Sequence, residues 1–160
     1  MSNEASPHRE PASAVDWGNR NGDLDVEHAF KTFAGKSYEG AIALFGTTDI
    51  LSRVEDLSVM PEAAFRFYLL AFRDFVMSDR LFKIDYGWNA ASAADTFLSL
   101  VLRRVRDAPA SILPVLDQLM PAVRHVTAHQ SDFDADEGIY GSFQTTLAQI
   151  EAIARTHKSE

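Results

Sequence analysis

Between Pro61 and Met77 the chain carries Phe65, Phe67, Tyr68, Leu69, Leu70, Phe72, Phe75 and Val76, with no helix breaker from Ala63 onward. Wound at 3.6 residues per turn, these side chains reach almost all the way round, and a helix apolar on every side has to be covered on every side. Pro61 suits a first-turn position, and Glu62 favours the positive end of the helix dipole. Only Glu62, Arg66, Arg73 and Arg80 make a polar stripe, the arginines at heptad spacing. A central helix over about 62–79 is therefore expected, with other helices packed around it.

The rest of the chain supplies those neighbours. Val26, Phe30 and Phe33 are spaced for a short helix that Gly35 closes. Ser37 can cap a second, with Tyr38, Ala41, Ile42 and Phe45 on one side and Gly46 at its end. Ile50, Val54 and Leu57 mark a third between Asp49 and Leu57. Residues 80–89 read as a loop carrying Tyr86 and Trp88. Ala94, Phe97, Leu98, Val101, Leu102 and Val105 then follow the i, i+3, i+4 rule, up to a stop at Pro109. Ser111 can cap the next helix, faced by Ile112, Leu116, Leu119, Met120, Val123 and Val126, with a kink or break expected at Pro121. An acidic loop over 131–138 precedes a last helix from about Ile139 to His157, buried through Phe143, Leu147, Ile150 and Ala154. No stretch alternates with period two, and no repeat appears at solenoid spacing. The pattern predicts an all-α fold, a single-domain bundle of six or seven helices over 25–160. Residues 1–24 have no periodicity and are expected to be a flexible tail, in which Trp17 is the one residue able to dock on the body.

With 160 residues, 46% of them hydrophobic and 24% charged, the chain has room for one core. The absence of cysteine excludes disulfides, thiolate metal sites and cysteine nucleophiles. A net charge of −8 argues against a partner bound through its phosphates, so nucleic acid is not expected. No apolar run approaches a membrane span and no signal stretch opens the chain, which points to a cytoplasmic protein with no membrane partner.

Several motifs begin a known chemistry without completing it. Gly35-Lys36-Ser37 resembles the end of a phosphate-binding loop, but Phe30 stands where the earlier glycine belongs. Asp132, Asp134 and Asp136 alternate as in a calcium loop, yet Glu137 and Phe143 occupy its glycine and closing-glutamate places. His125 and His129 have the spacing to share a metal, although Val126 replaces the glutamate of the peptidase motif. Ser142 follows Gly141 but lacks the second glycine of a nucleophile elbow. The Arg103, Arg104 and Arg106 cluster suits an ordinary helix C-terminus. No catalytic residue, metal ligand or cofactor is assigned.

Charge is unevenly spread: residues 1–65 carry 5 basic and 11 acidic groups, 66–106 carry 7 and 4, and 107–160 carry 3 and 8. In the last region Asp132, Asp134, Asp136 and Glu137 are interleaved with Phe133, Tyr140 and Phe143. Carboxylates among aromatics suit a protein interface, since the field steers encounter and the rings supply buried area. Asp132, Phe133, Asp134, Asp136, Glu137 and Tyr140 are the candidate partner-binding residues.

The segment Met60-Pro61-Glu62-Ala63-Ala64-Phe65-Arg66-Phe67-Tyr68-Leu69-Leu70-Ala71-Phe72 resembles one seen in small acidic helical bacterial proteins, among them immunity proteins encoded beside polymorphic or contact-dependent toxins. The stretch from Asp134 to Phe143 adds to that likeness, and the two patches cover about a seventh of the chain. The resemblance implies a non-enzymatic inhibitor whose partner is one cognate toxin domain, and it brings no catalytic residues with it. Two other readings stand beside it. One is a helical adaptor or regulatory protein that self-associates through aromatics such as Tyr86 and Trp88. The other is a metal-dependent enzyme using His125, His129 and the nearby acids. The sequence leaves the oligomeric state open.

Overall fold

The computed structural model describes residues 13, 15–20, 22–47, 49–83 and 89–158. Among them are eight α-helices and no strand: α1 (Leu24–Phe33), α2 (Tyr38–Thr47), α3 (Ile50–Ser58), α4 (Glu62–Val76), α5 (Asn89–Asp107), α6 (Pro109–Ala128), α7 (Glu137–Tyr140) and α8 (Phe143–Lys158). Short 3-10 turns stand at Val15–Trp17, Asp79–Lys83 and Gln130–Phe133. The fold is the expected all-α bundle. Ten residues of α4 are buried, from Ala64 to Val76, and α2, α3, α5 and α6 all pack on it. α8 closes the far side against α5 and α6.

Local chemistry sets most boundaries. Asp23 accepts from the amides of Asp25 and Val26 to start α1, and Asp49 accepts from Leu51 to start α3. Gly35, at φ +79°, turns the chain out of α1, and Ser37 Oγ accepts from Gly40 N at 3.0 Å to open α2. Gly35-Lys36-Ser37 is thus a helix end followed by a cap. Tyr86 and Trp88 lie outside the described residues.

Four expectations need correction. Ser111 does not cap α6: Pro109 takes the first helical position, where its fixed φ and missing N–H are favourable. Ser111 is buried two residues further on, its hydroxyl donating to Ala108 O at 2.6 Å. Nor does α6 break at Pro121, for it runs through both Pro114 and Pro121. Both prolines face solvent, so the carbonyls they leave without an amide, on Ala110 and Asp117, can be hydrated. The neighbouring carbonyls receive arginines from α4: Arg66 Nη1 lies 3.5 Å from Ser111 O, and Arg73 Nη1 2.9 Å from Gln118 O.

The last helix does not begin at Ile139. Gly141, at φ +76°, separates the single turn of α7 from α8. The tail boundary also moves. Trp17 is 1% exposed, edge-on to Phe30 at 5.4 Å and 6.3 Å from Tyr68, while the Arg20 guanidinium sits 3.4 Å over Phe30 and pairs with Glu27. Trp17 and Arg20 therefore pack residues 15–20 onto α1 and α4.

Candidate functional site

The acidic segment after α6 is built around Gln130. Its side-chain amide donates to Ala135 O at 3.0 Å and Gly141 O at 2.8 Å, and its oxygen accepts from Phe143 N at 2.9 Å. One side chain thereby ties the 3-10 turn, α7 and the start of α8 together. Gln144 adds a bond from its amide to Thr127 O at 2.8 Å. Asp134 occupies the left-handed region at φ +56°, which a short polar side chain tolerates. Asp136 caps α7 by accepting from Gly138 N at 2.6 Å. A Cβ on residue 138 would meet that same carboxylate at 2.9 Å, so a larger residue there would push the cap aside.

Asp132, Asp134, Asp136 and Glu137 are all exposed. Three of them, Asp134, Asp136 and Glu137, line an open groove of about 580 Å³ whose other walls include Ala128, Ser131 and Ala135. Asp132 and Tyr140 lie outside that lining, and Tyr140 is half-buried. Phe133 contradicts its assignment to a partner surface. It is 2% exposed, with its ring 5.6 Å from Phe82 and edge-on to His125 at 6.4 Å. In a 3-10 turn residues three apart share a side, so Phe133 lies on the same side as the inward-turned Gln130. Among the described residues, Ile139, at 77% exposure, and Phe82, at 54%, are large apolar side chains left accessible in this region. In the sequence pattern Ile139 heads a long helix and Phe82 falls in a loop, so neither stands out.

The other motifs resolve into structure. His125 and His129 are exposed, their rings 4.3 Å apart and tilted by 30°, and His129 Nδ1 lies 2.7 Å from His125 O. Among the described residues no three His, Asp or Glu side chains are grouped to hold a metal ion. Arg104 serves another helix than its own: its Nη2 donates to Ser58 O at 2.6 Å at the end of α3, and its guanidinium lies 3.9 Å over Phe65. Burial lowers the pKa of that guanidinium.

Two polar clusters escaped the sequence reading. Asp56, only 5% exposed, accepts from His28 Nδ1 at 2.9 Å and lies 3.2 Å from Arg53 Nη2, joining α1 to α3. Tyr38 donates to Asp74, its hydroxyl lying 3.0 Å from Leu70 O, while Arg73 Nε pairs with Asp74 at 2.8 Å. Burial first, and then the bond to Asp74, push the Tyr38 phenol above its ordinary range. Both clusters join partners about thirty residues apart, which periodicity within one helix does not signal.

Among the described residues no helix is long and apolar enough to cross a membrane. No family model matches the chain, and comparison with curated proteins and with solved structures finds no match to either.

Proposed function

We propose that this chain is a non-enzymatic immunity protein that binds and neutralises a cognate bacterial toxin domain through the surface around Gln130–Tyr140. The observation that carries the reading is the groove itself: exposed carboxylates held on a turn that Gln130 fixes by three hydrogen bonds. A pre-set acidic surface matches a basic cleft, places carboxylates where substrate phosphates would bind, and loses little freedom on docking. Asp132, Asp134, Asp136 and Glu137 supply the charge, and Tyr140 flanks them. Ile139 replaces Phe133 as the apolar contact. Such a complex should bury roughly 1,200 Å² or more in total, so it extends beyond the groove. The protein would act in the cytoplasm of the cell that makes the toxin.

The test is capture from the parent bacterium with the wild-type chain and with Asp132, Asp134 and Asp136 all changed to alanine. The expected result is one basic partner, released by salt, lost with the triple variant, and toxic when expressed without this chain. Equal recovery by the triple variant would overturn the site. A partner whose expression alone harms nothing would overturn the function.

A further inference from the structure

We propose that the surface where the Asp79–Lys83 turn meets the Gln130–Phe133 turn is a self-association face, and that its partner is a second copy of this chain related by a two-fold axis. These two turns follow α4 and α6 and lie side by side, with the Phe82 ring 5.6 Å from that of Phe133. Three residues complete a turn of 3-10 helix, so Arg80 and Lys83 share one side, Leu81 a second and Phe82 the third. Leu81 is buried at 1% exposure, while Phe82 is 54% exposed and Arg80 and Lys83 are open to solvent. Across Phe82, the buried Phe133 is flanked in the chain by exposed Asp132 and Asp134. The surface thus runs from cations through an aromatic ring to carboxylates. Among the described residues none of these four charges forms an ion pair.

That order selects the occupant. In a two-fold contact whatever residue i meets on the partner, the partner's i meets here, so the patch must complement itself. A patch of one sign repels its own copy. A patch with cations on one side of a ring and carboxylates on the other does not: rotation about an axis at Phe82 lays ring on ring and each basic pair over the other copy's acids. Offset or edge-on ring pairs add to the burial of their area. Two short turns make a small face, at or below roughly 1,200 Å² in total, and a net charge of −8 on each copy opposes the approach. The dimer is therefore weak, rapidly exchanging and populated at high protein concentration. The inference does not depend on toxin binding, but Asp132 and Asp134 serve both faces, so a dimerised copy would be unavailable to a toxin.

Sedimentation velocity of the full chain over a wide concentration range, near physiological salt where the Debye length is about 8 Å, tests this. The mass should rise with concentration from the 17.8 kDa of the monomer toward twice that value. Phe82→Ser should weaken association about tenfold. Changing Arg80 and Lys83 to Glu, or Asp132 and Asp134 to Lys, should leave each variant monomeric. An equal mixture of those two charge-reversed variants should associate again, because one set of charge contacts is then native and the other returns with its sign inverted. Circular dichroism confirms that each exposed-site variant is folded. A wild-type chain that stays monomeric throughout overturns the proposal. So does association indifferent to Phe82 and to both reversals, or a mixture that fails to associate where the wild type does.

Discussion

Tyr68 sits at the middle of α4 with no exposed surface, between Phe33 and Phe67, each with its ring centroid 4.9 Å away. Its hydroxyl donates to Phe33 O at 2.8 Å, at the end of α1. Burial pushes this phenol up to about 12, against an ordinary value near 10. The folded state therefore favours the protonated tyrosine. Its contribution is complete below about pH 10 and is lost as pH climbs through about 12. That difference amounts to roughly 2–3 kcal/mol at the alkaline limit. Tyr68→Phe removes the titration together with one hydrogen bond, which costs about 1 kcal/mol at neutral pH. The cost stays modest because Phe33 O still accepts from Lys36 N at 3.0 Å. The stability curves of the wild type and of the Tyr68→Phe variant should then cross between about pH 10 and 11, with the variant the more stable above the crossing. Urea unfolding midpoints from neutrality to about pH 11 give the comparison directly. Tyr38 also titrates high, but it is common to both proteins and cancels in the difference. Parallel curves across the whole range would refute the burial of this hydroxyl.

Trp17→Ala empties a fully buried slot against Phe30 and Tyr68, so a loss of roughly 3–5 kcal/mol, or about 10 °C in Tm, is expected by calorimetry. A loss below about 1 kcal/mol would mean that residues 15–20 do not dock. Arg73→Met removes the donor to Gln118 O and the ion pair with Asp74. Both partners can reach water, so the expected cost is about 1–2 kcal/mol, and an unchanged urea midpoint would show that this arginine does not tie α4 to α6.

What could be read from the sequence was what lies within one helix. α4 announces itself because Phe65 through Val76 leave no polar face, and Ser37 and Gly35 declare their roles by residue type. The acidic segment was legible as charge but not as geometry. Asp, Phe and Asp alternate identically whether the ring points outward or inward, and the inward choice is made by Phe82, far away in the chain, and by His125 on the preceding helix. Trp17 is a similar case: its slot is assembled from α1 and α4, so the flanking Ser, Pro and Gly spoke louder than the indole. Gln130 was invisible because a glutamine with three backbone partners reads in sequence like any surface glutamine. The break at Gly141 went unseen because Tyr140 and Phe143 continue a plausible helical spacing across it.

The two arginine contacts between α4 and α6 have a mechanical meaning. Arg66 meets Ser111 and Arg73 meets Gln118, so seven residues on one helix match seven on the other, advancing in the same direction. Each interval spans about 10.5 Å along the axis, and a slip of one residue, about 1.5 Å, would pull both guanidinium groups off their carbonyls. The pair works as a two-toothed rack that holds the helices in step. The groove hangs from the C-terminal end of α6, and the Phe82 turn from the same end of α4. Whatever pulls axially on the acidic turn therefore loads both helices together, and the two faces at that end of the bundle keep their spacing as a rigid unit.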